Sequence, residues 1–338
     1  MRPPPASPVH KKTERGDKRA SLPFYNPAKP VKPVDRRDRT VYREAGKSLN
    51  HGSEAMNDLR KRLDGLLEAL GGAEEPIGVF YSDREPALGF APKPGPAVSA
   101  ELEQAGAIDF KAVFENFSCV LGNVWMSRKK GLPAWLTAER YGCPGASFHC
   151  GFHAPQLEFI ARYVSTGAPQ AAPGERYLPS PEAVRGYFDA LSPRPAPARV
   201  CVFKPLSLLE PGEEPEVVVF FARGEVLGGL CQLACFATGD VEAVALPFGA
   251  GCASILAWPL RYLEQGRERA VVGGPDPSCR KFLKVDELTF AAPWSLFRKM
   301  LDAWPDSFLA HQSWEGPRKK ALRSRRTWGE DGTEAARA

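Results

Sequence analysis

No stretch of this 338-residue chain approaches the roughly 18–20 consecutive apolar residues that cross a bilayer, which argues against a membrane protein. The N-terminus lacks the apolar core of a signal peptide, because prolines and charges occupy that place, and interspersed acids argue against a transit peptide. Gly-x-Gly-x-x-Gly and Gly-x-x-x-x-Gly-Lys-Ser/Thr are both missing, so no recognisable nucleotide fold is indicated. Paired Cys-x-x-Cys is missing too, as is any repeat of 20–50 residues. Histidine is scarce, with five in the whole chain. A cytoplasmic protein is expected. In that compartment its eight cysteines would be reduced or metal-bound rather than paired as structural disulfides.

Charge is unevenly spread. Residues 1–55 carry 13 Lys/Arg against 6 Asp/Glu, and residues 316–338 carry 7 against 3. Because the whole chain is only +5, the part between is net −6. The basic ends come without an aromatic-and-basic platform and the middle is acidic, so no specific nucleic-acid partner is expected. Residues 1–55 also hold eight prolines and little apolar periodicity, which predicts a disordered basic extension, and one reading takes Met56 as the natural first residue. Residues 56–315 are expected to form a single large domain. Residues 316–338 are expected to be a disordered basic tail beyond the break at Gly316-Pro317.

Within the domain, Leu59, Leu63, Leu66, Leu67 and Leu70 have helical spacing, and Gly71-Gly72 closes that helix. Strand-like runs fall at Ile77–Tyr81, Trp135–Thr137, Val200–Phe203, Val217–Phe221, Ala243–Leu246, Ala270–Val272 and Leu288–Phe290. Helices are expected over 109–127, 155–165, 181–191, 223–237 and near 293–303, with 252–264 helical or irregular. Short apolar strands among helices predict an α/β or α+β fold, a mixed sheet with helices on at least one face.

Two cysteines sit in small-residue turns far apart in the chain: Cys143 in Gly142-Cys143-Pro144-Gly145-Ala146, and Cys252 in Pro247-Phe248-Gly249-Ala250-Gly251-Cys252. Such turns leave a thiol without bulky neighbours, unlike a cysteine set in an apolar run. Cys201, Cys231 and Cys235 are of the latter kind and read as core. Thiolates suit soft metals and iron–sulfur clusters. His149, Cys150 and His153, close behind Cys143, make a weaker zinc set, with His149 and His153 on one face if the turn continues as helix. A nucleophilic Cys252 is a further reading, with His149 or His153 as its base. Gly273-Gly274-Pro275-Asp276-Pro277-Ser278 with Arg280 reads as a proline-fixed turn or an anion cradle.

The two cysteine turns, the Asp276-Pro277-Ser278 turn, Glu287–Phe290, Gly174-Glu175-Arg176-Tyr177 and Phe203-Lys204-Pro205-Leu206 occur in an order and spacing that resembles the uncharacterised proteins of domain-of-unknown-function family 169. The resemblance covers about residues 58–314. It implies that Cys143 and Cys252 are characteristic positions and that Cys119 falls where many members have cysteine. Cys150 and Cys279 depart from the family pattern. The expected cofactor site is therefore Cys119, Cys143 and Cys252, holding a [4Fe–4S] cluster for redox chemistry or small-molecule activation. The alternative is a non-catalytic small-molecule binding module with reduced, metal-free cysteines. Expected partners are a small molecule or a redox partner, and homo-oligomerisation fits either reading.

Overall fold

The computed structural model describes residues 56–115, 118–152, 158–167 and 174–327, which belong to one compact unit. The reading of residues 1–55 as disordered lies outside the described residues. The spine is a seven-stranded sheet in the order β2-β3-β1-β4-β7-β6-β5. Its strands are β1 (Ile77–Ser82), β2 (Ala134–Leu136), β3 (Val200–Pro205), β4 (Val217–Arg223), β5 (Val244–Ala245), β6 (Ala270–Gly273) and β7 (Glu287–Pro293). All neighbours run antiparallel except β5 and β6, which are parallel. The fold is α+β with a mixed sheet.

Strand side chains alternate between faces, and here both faces are buried. Along β4, Val218, Phe220 and Ala222 enter one core, while Val217, Val219 and Phe221 enter the other. The first core is covered by α1 (residues 56–69), α8 (Gly224–Thr238) and α11 (Trp294–Ala303). Of the leucines named from their spacing, Leu63, Leu66 and Leu70 are buried there, and Leu59 and Leu67 pack against them partly buried. The opposite face is covered by α4 (Val120–Lys130), α5 (Pro144–His149) and a helix over 251–264 whose Ala253–Ala257 turn is π-helical before α9 (Trp258–Glu264). A sheet covered on both faces explains why β4 reads as an unbroken apolar run.

Beside this second layer lie α2 (Ala100–Gln104), α3 (Phe110–Glu115), α6 (Glu158–Val164) and α7 (Pro181–Leu191), which pack in smaller apolar groups. The Glu103 carboxylate caps α6, accepting from the Glu158 and Phe159 N–H groups, each at 2.6 Å. The short α10 (Pro277–Arg280) leads into β7.

Two expectations are corrected. The single helix expected over 109–127 is two helices, α3 and α4, because the Ser118 N–H donates to the Gly142 carbonyl at 2.9 Å and leaves the helical ladder. The chain after residue 315 is not a tail from its first residue: α12 (Glu315–Thr327) continues the fold. Pro317 lies in its first turn, where a missing N–H breaks no helical bond. Ala321 is buried against Gly71, the Arg318 guanidinium pairs with Glu68 at 3.1 Å, and Lys320 pairs with Glu225. Residues 328–338 lie outside the described residues.

Candidate functional site

Each of the three predicted cysteines begins a helical segment on the second face of the sheet. Cys119 is the N-cap of α4 and Cys143 the N-cap of α5, whose Sγ accepts from the Ala146 N–H at 3.3 Å. Cys252 immediately precedes the π-helical turn, an irregularity that helices often carry at functional sites. Gly142 brings the first two together. Its φ is +74°, and a Cβ there would stand 2.4 Å from the Ser118 carbonyl oxygen, so only glycine permits this approach. The segments carrying Cys119 and Cys143 are thus pinned side by side by Ser118–Gly142. The third is held by Asp276, whose Oδ2 accepts from the Gly251 N–H at 2.8 Å. Gly251 itself presses on α4: a Cβ there would lie 2.8 Å from the Leu121 side chain.

Cys119, Cys143 and Cys252 consequently line one cavity with about 880 Å³ of empty space, its open mouth included. Its wall is mostly carbon, with Phe159, Tyr163, Tyr187, Phe188 and Phe248 supplying rings from α6, α7 and the Cys252 turn. Among the described residues no lysine or arginine lines it, and Asp276 is the one carboxylate there. Burial therefore dominates the electrostatics. It pushes the Cys143 thiol up to about 12, the nearby Cys119 thiol adding to the effect and the Ala146 N–H opposing it. Burial raises Cys252 well above an ordinary thiol, with Cys143 and Cys119 again contributing. Cys119 is raised by burial as well, against the pull of the Gly122 and Leu121 N–H groups.

His149 sits at the end of α5 beneath this cavity. Its Nδ1 is 3.1 Å from Cys252 Sγ and its Nε2 is 3.0 Å from the Tyr187 hydroxyl. Burial lowers its pKa to about 4, so the ring is neutral at ordinary pH and donates at one nitrogen while accepting at the other. The His149–Cys252 contact has the geometry of a base and a nucleophile. Burial nonetheless opposes the thiolate–imidazolium pair that an activated cysteine needs.

The weaker zinc set is not assembled in this way. Cys150 does not line the cavity; it faces the buried Cys201 thiol, whose hydrogen bond is the chief cause of its raised pKa. His153 lies outside the described residues. Among the described residues, no group of three or more His, Cys, Asp or Glu side chains could hold a metal ion. Cys279 donates to the Asp276 carbonyl at 3.2 Å, and Cys231 and Cys235 pack against the other core. Arg280 donates to the carbonyls of Lys284, Val285 and Glu287, which makes it a brace for its own turn.

Sequence reasoning did not single out Tyr187, or the Tyr163 and Tyr177 hydroxyls that both donate to Glu175. Glu175 and Tyr177 belong to the Gly174–Tyr177 motif, so a signal was present, but nothing local ties that motif to Cys143, 31 or more positions away.

Fold and cavity together define a class: an α+β protein whose two-sided sheet supports a buried, thiol-lined, aromatic pocket. The profile of the uncharacterised ArCR family, DUF169, matches residues 65–303, and the chain belongs to that family. No curated protein and no solved structure is detectably similar to it. Among the described residues no helix is long and apolar enough to cross a membrane.

Proposed function

We propose that the protein is a cytoplasmic thiol-centred redox protein in which Cys119, Cys143 and Cys252 hold an iron–sulfur cluster of the [4Fe–4S] type. The observation that carries this reading is the meeting of three thiols from separate segments in one cavity that, among the described residues, has no cationic side chain. Burial favours the neutral thiol at each position, so ligation as thiolates requires a compensating positive charge. Iron would supply that charge, and soft thiolates are its natural donors in clusters. A cluster, unlike a single ion, offers a different iron to each thiol.

Such a cluster, when bound, supplies one-electron chemistry, and with three protein thiols it leaves one iron for a small molecule or a further group. The chain's own residues supply the rest. The Ala146 N–H steadies Cys143, and His149 holds Cys252 in place. The aromatic wall limits water.

Anaerobic purification tests the reading. Brown protein with broad absorption near ~400 nm, iron and acid-labile sulfide is the expected result. Colourless protein without iron or sulfide after anaerobic preparation would favour a metal-free binding module, a reading that the aromatic lining also suits.

A further inference from the structure

What a cavity binds depends on which groups in its wall are left without partners. Here the polar side chains facing the space are already engaged within the protein. Asp276 accepts from the Gly251 N–H, and the two ring nitrogens of His149 are taken by Cys252 and Tyr187. The hydroxyls of Tyr163 and Tyr177 both donate to Glu175. Among the described residues no guanidinium or ammonium lines the wall. An anionic metabolite entering this space would lose its hydration and meet no compensating charge. A ligand rich in hydrogen-bonding groups would have to break pairs that already exist.

The rest of the wall is carbon. Phe159, Ile160 and Val164 come from α6, Phe188 from α7, and Phe248 from the Cys252 turn, where it meets the Tyr187 ring edge to face at 5.1 Å. Rings in such arrangements accept another ring at an edge or an offset face, and thiol sulfur adds polarisable surface to the same space. We propose that the cavity binds an uncharged, mainly apolar small molecule, with aromatic compounds as the preferred class. The proposal concerns the cavity that also carries the thiols, but it rests on the carbon wall and on the polar groups already paired within it, so it does not require iron.

Full-length protein purified anaerobically, with iron measured in the same sample, is titrated with the neutral fluorophore 1-aminoanthracene. The bound probe is then competed with two naphthalenes of matched shape, 2-naphthalenemethanol and the anionic 2-naphthoate. Saturable probe binding is expected, with the alcohol competing at least about tenfold better than the carboxylate. Val164→Trp, which fills the cavity from α6, should weaken probe binding by a similar factor while the melting temperature holds. If that variant does not fold, the matched pair on the wild-type protein decides. Absence of saturable binding, equal competition by the two naphthalenes, or full probe affinity in a folded Val164→Trp protein would overturn the proposal. Discrimination between the naphthalenes in an iron-free sample would uphold it while counting against the cluster.

Discussion

At the scale of single residues the site rests on positions that tolerate almost no change. Gly142 combines a left-handed φ with a carbonyl where its Cβ would be. Gly142→Ala is expected to cost about 2 kcal/mol or more, read by denaturant unfolding, because strain and steric conflict add. Unchanged stability would mean that the Ser118–Gly142 junction yields easily. His149 gives a second expectation, for protein freed of metal. Its folded pKa of about 4 lies below the ordinary 6.5, so the unfolded chain takes the proton first as pH falls. The stability that depends on neutral His149 is complete above about pH 6.5 and is lost progressively toward pH 4. At about 1.4 kcal/mol per pH unit the loss approaches roughly 3 kcal/mol. His149→Gln should flatten this part of the stability–pH curve, and an identical slope in the variant would assign the effect to other groups.

At the scale of elements, α12 is the piece whose role differs most from expectation. It docks on the turn after α1 through Ala321 and on Glu68 and Glu225 through Arg318 and Lys320. Next to it Trp314 is buried and donates to the Ala69 carbonyl at 3.0 Å. Removal of residues 328–338 should leave the melting temperature unchanged. Removal from residue 316 onward should lower it by about 2–6 °C, as expected for losing one small apolar contact and two exposed ion pairs. An equal melting temperature for the two truncations would show that α12 adds nothing to the fold. Neither truncation reaches a residue that lines the cavity, so its ligand should remain bound in both.

At the scale of the whole molecule, the sheet and its apolar runs were legible because strands buried on both faces leave a dense, short apolar signature, as in Val217–Phe221. The cysteine turns were legible because glycine and proline mark sharp backbone changes whatever surrounds them. The break between α3 and α4 was not, since it depends on a bond from Ser118 to a carbonyl 24 positions away. The docking of α12 was hidden for a similar reason: its charges mask one small buried alanine. The His149–Cys252–Tyr187 chain was half visible. His149 stood out by its scarcity, but its partners lie 103 and 38 residues distant. The central claim, three thiols sharing one cluster, is tested most directly by iron and sulfide content in anaerobically purified variants. Serine is the right replacement, because it is close in size and at Cys143 preserves the helix cap, which keeps loss of metal separate from loss of fold. Cys119→Ser, Cys143→Ser and Cys252→Ser should each lose most of the iron and sulfide, while Cys231→Ser and Cys235→Ser, on the far side of the sheet, retain both. Wild-type protein without iron, or full iron retained in folded Cys143→Ser and Cys252→Ser proteins, would contradict the account.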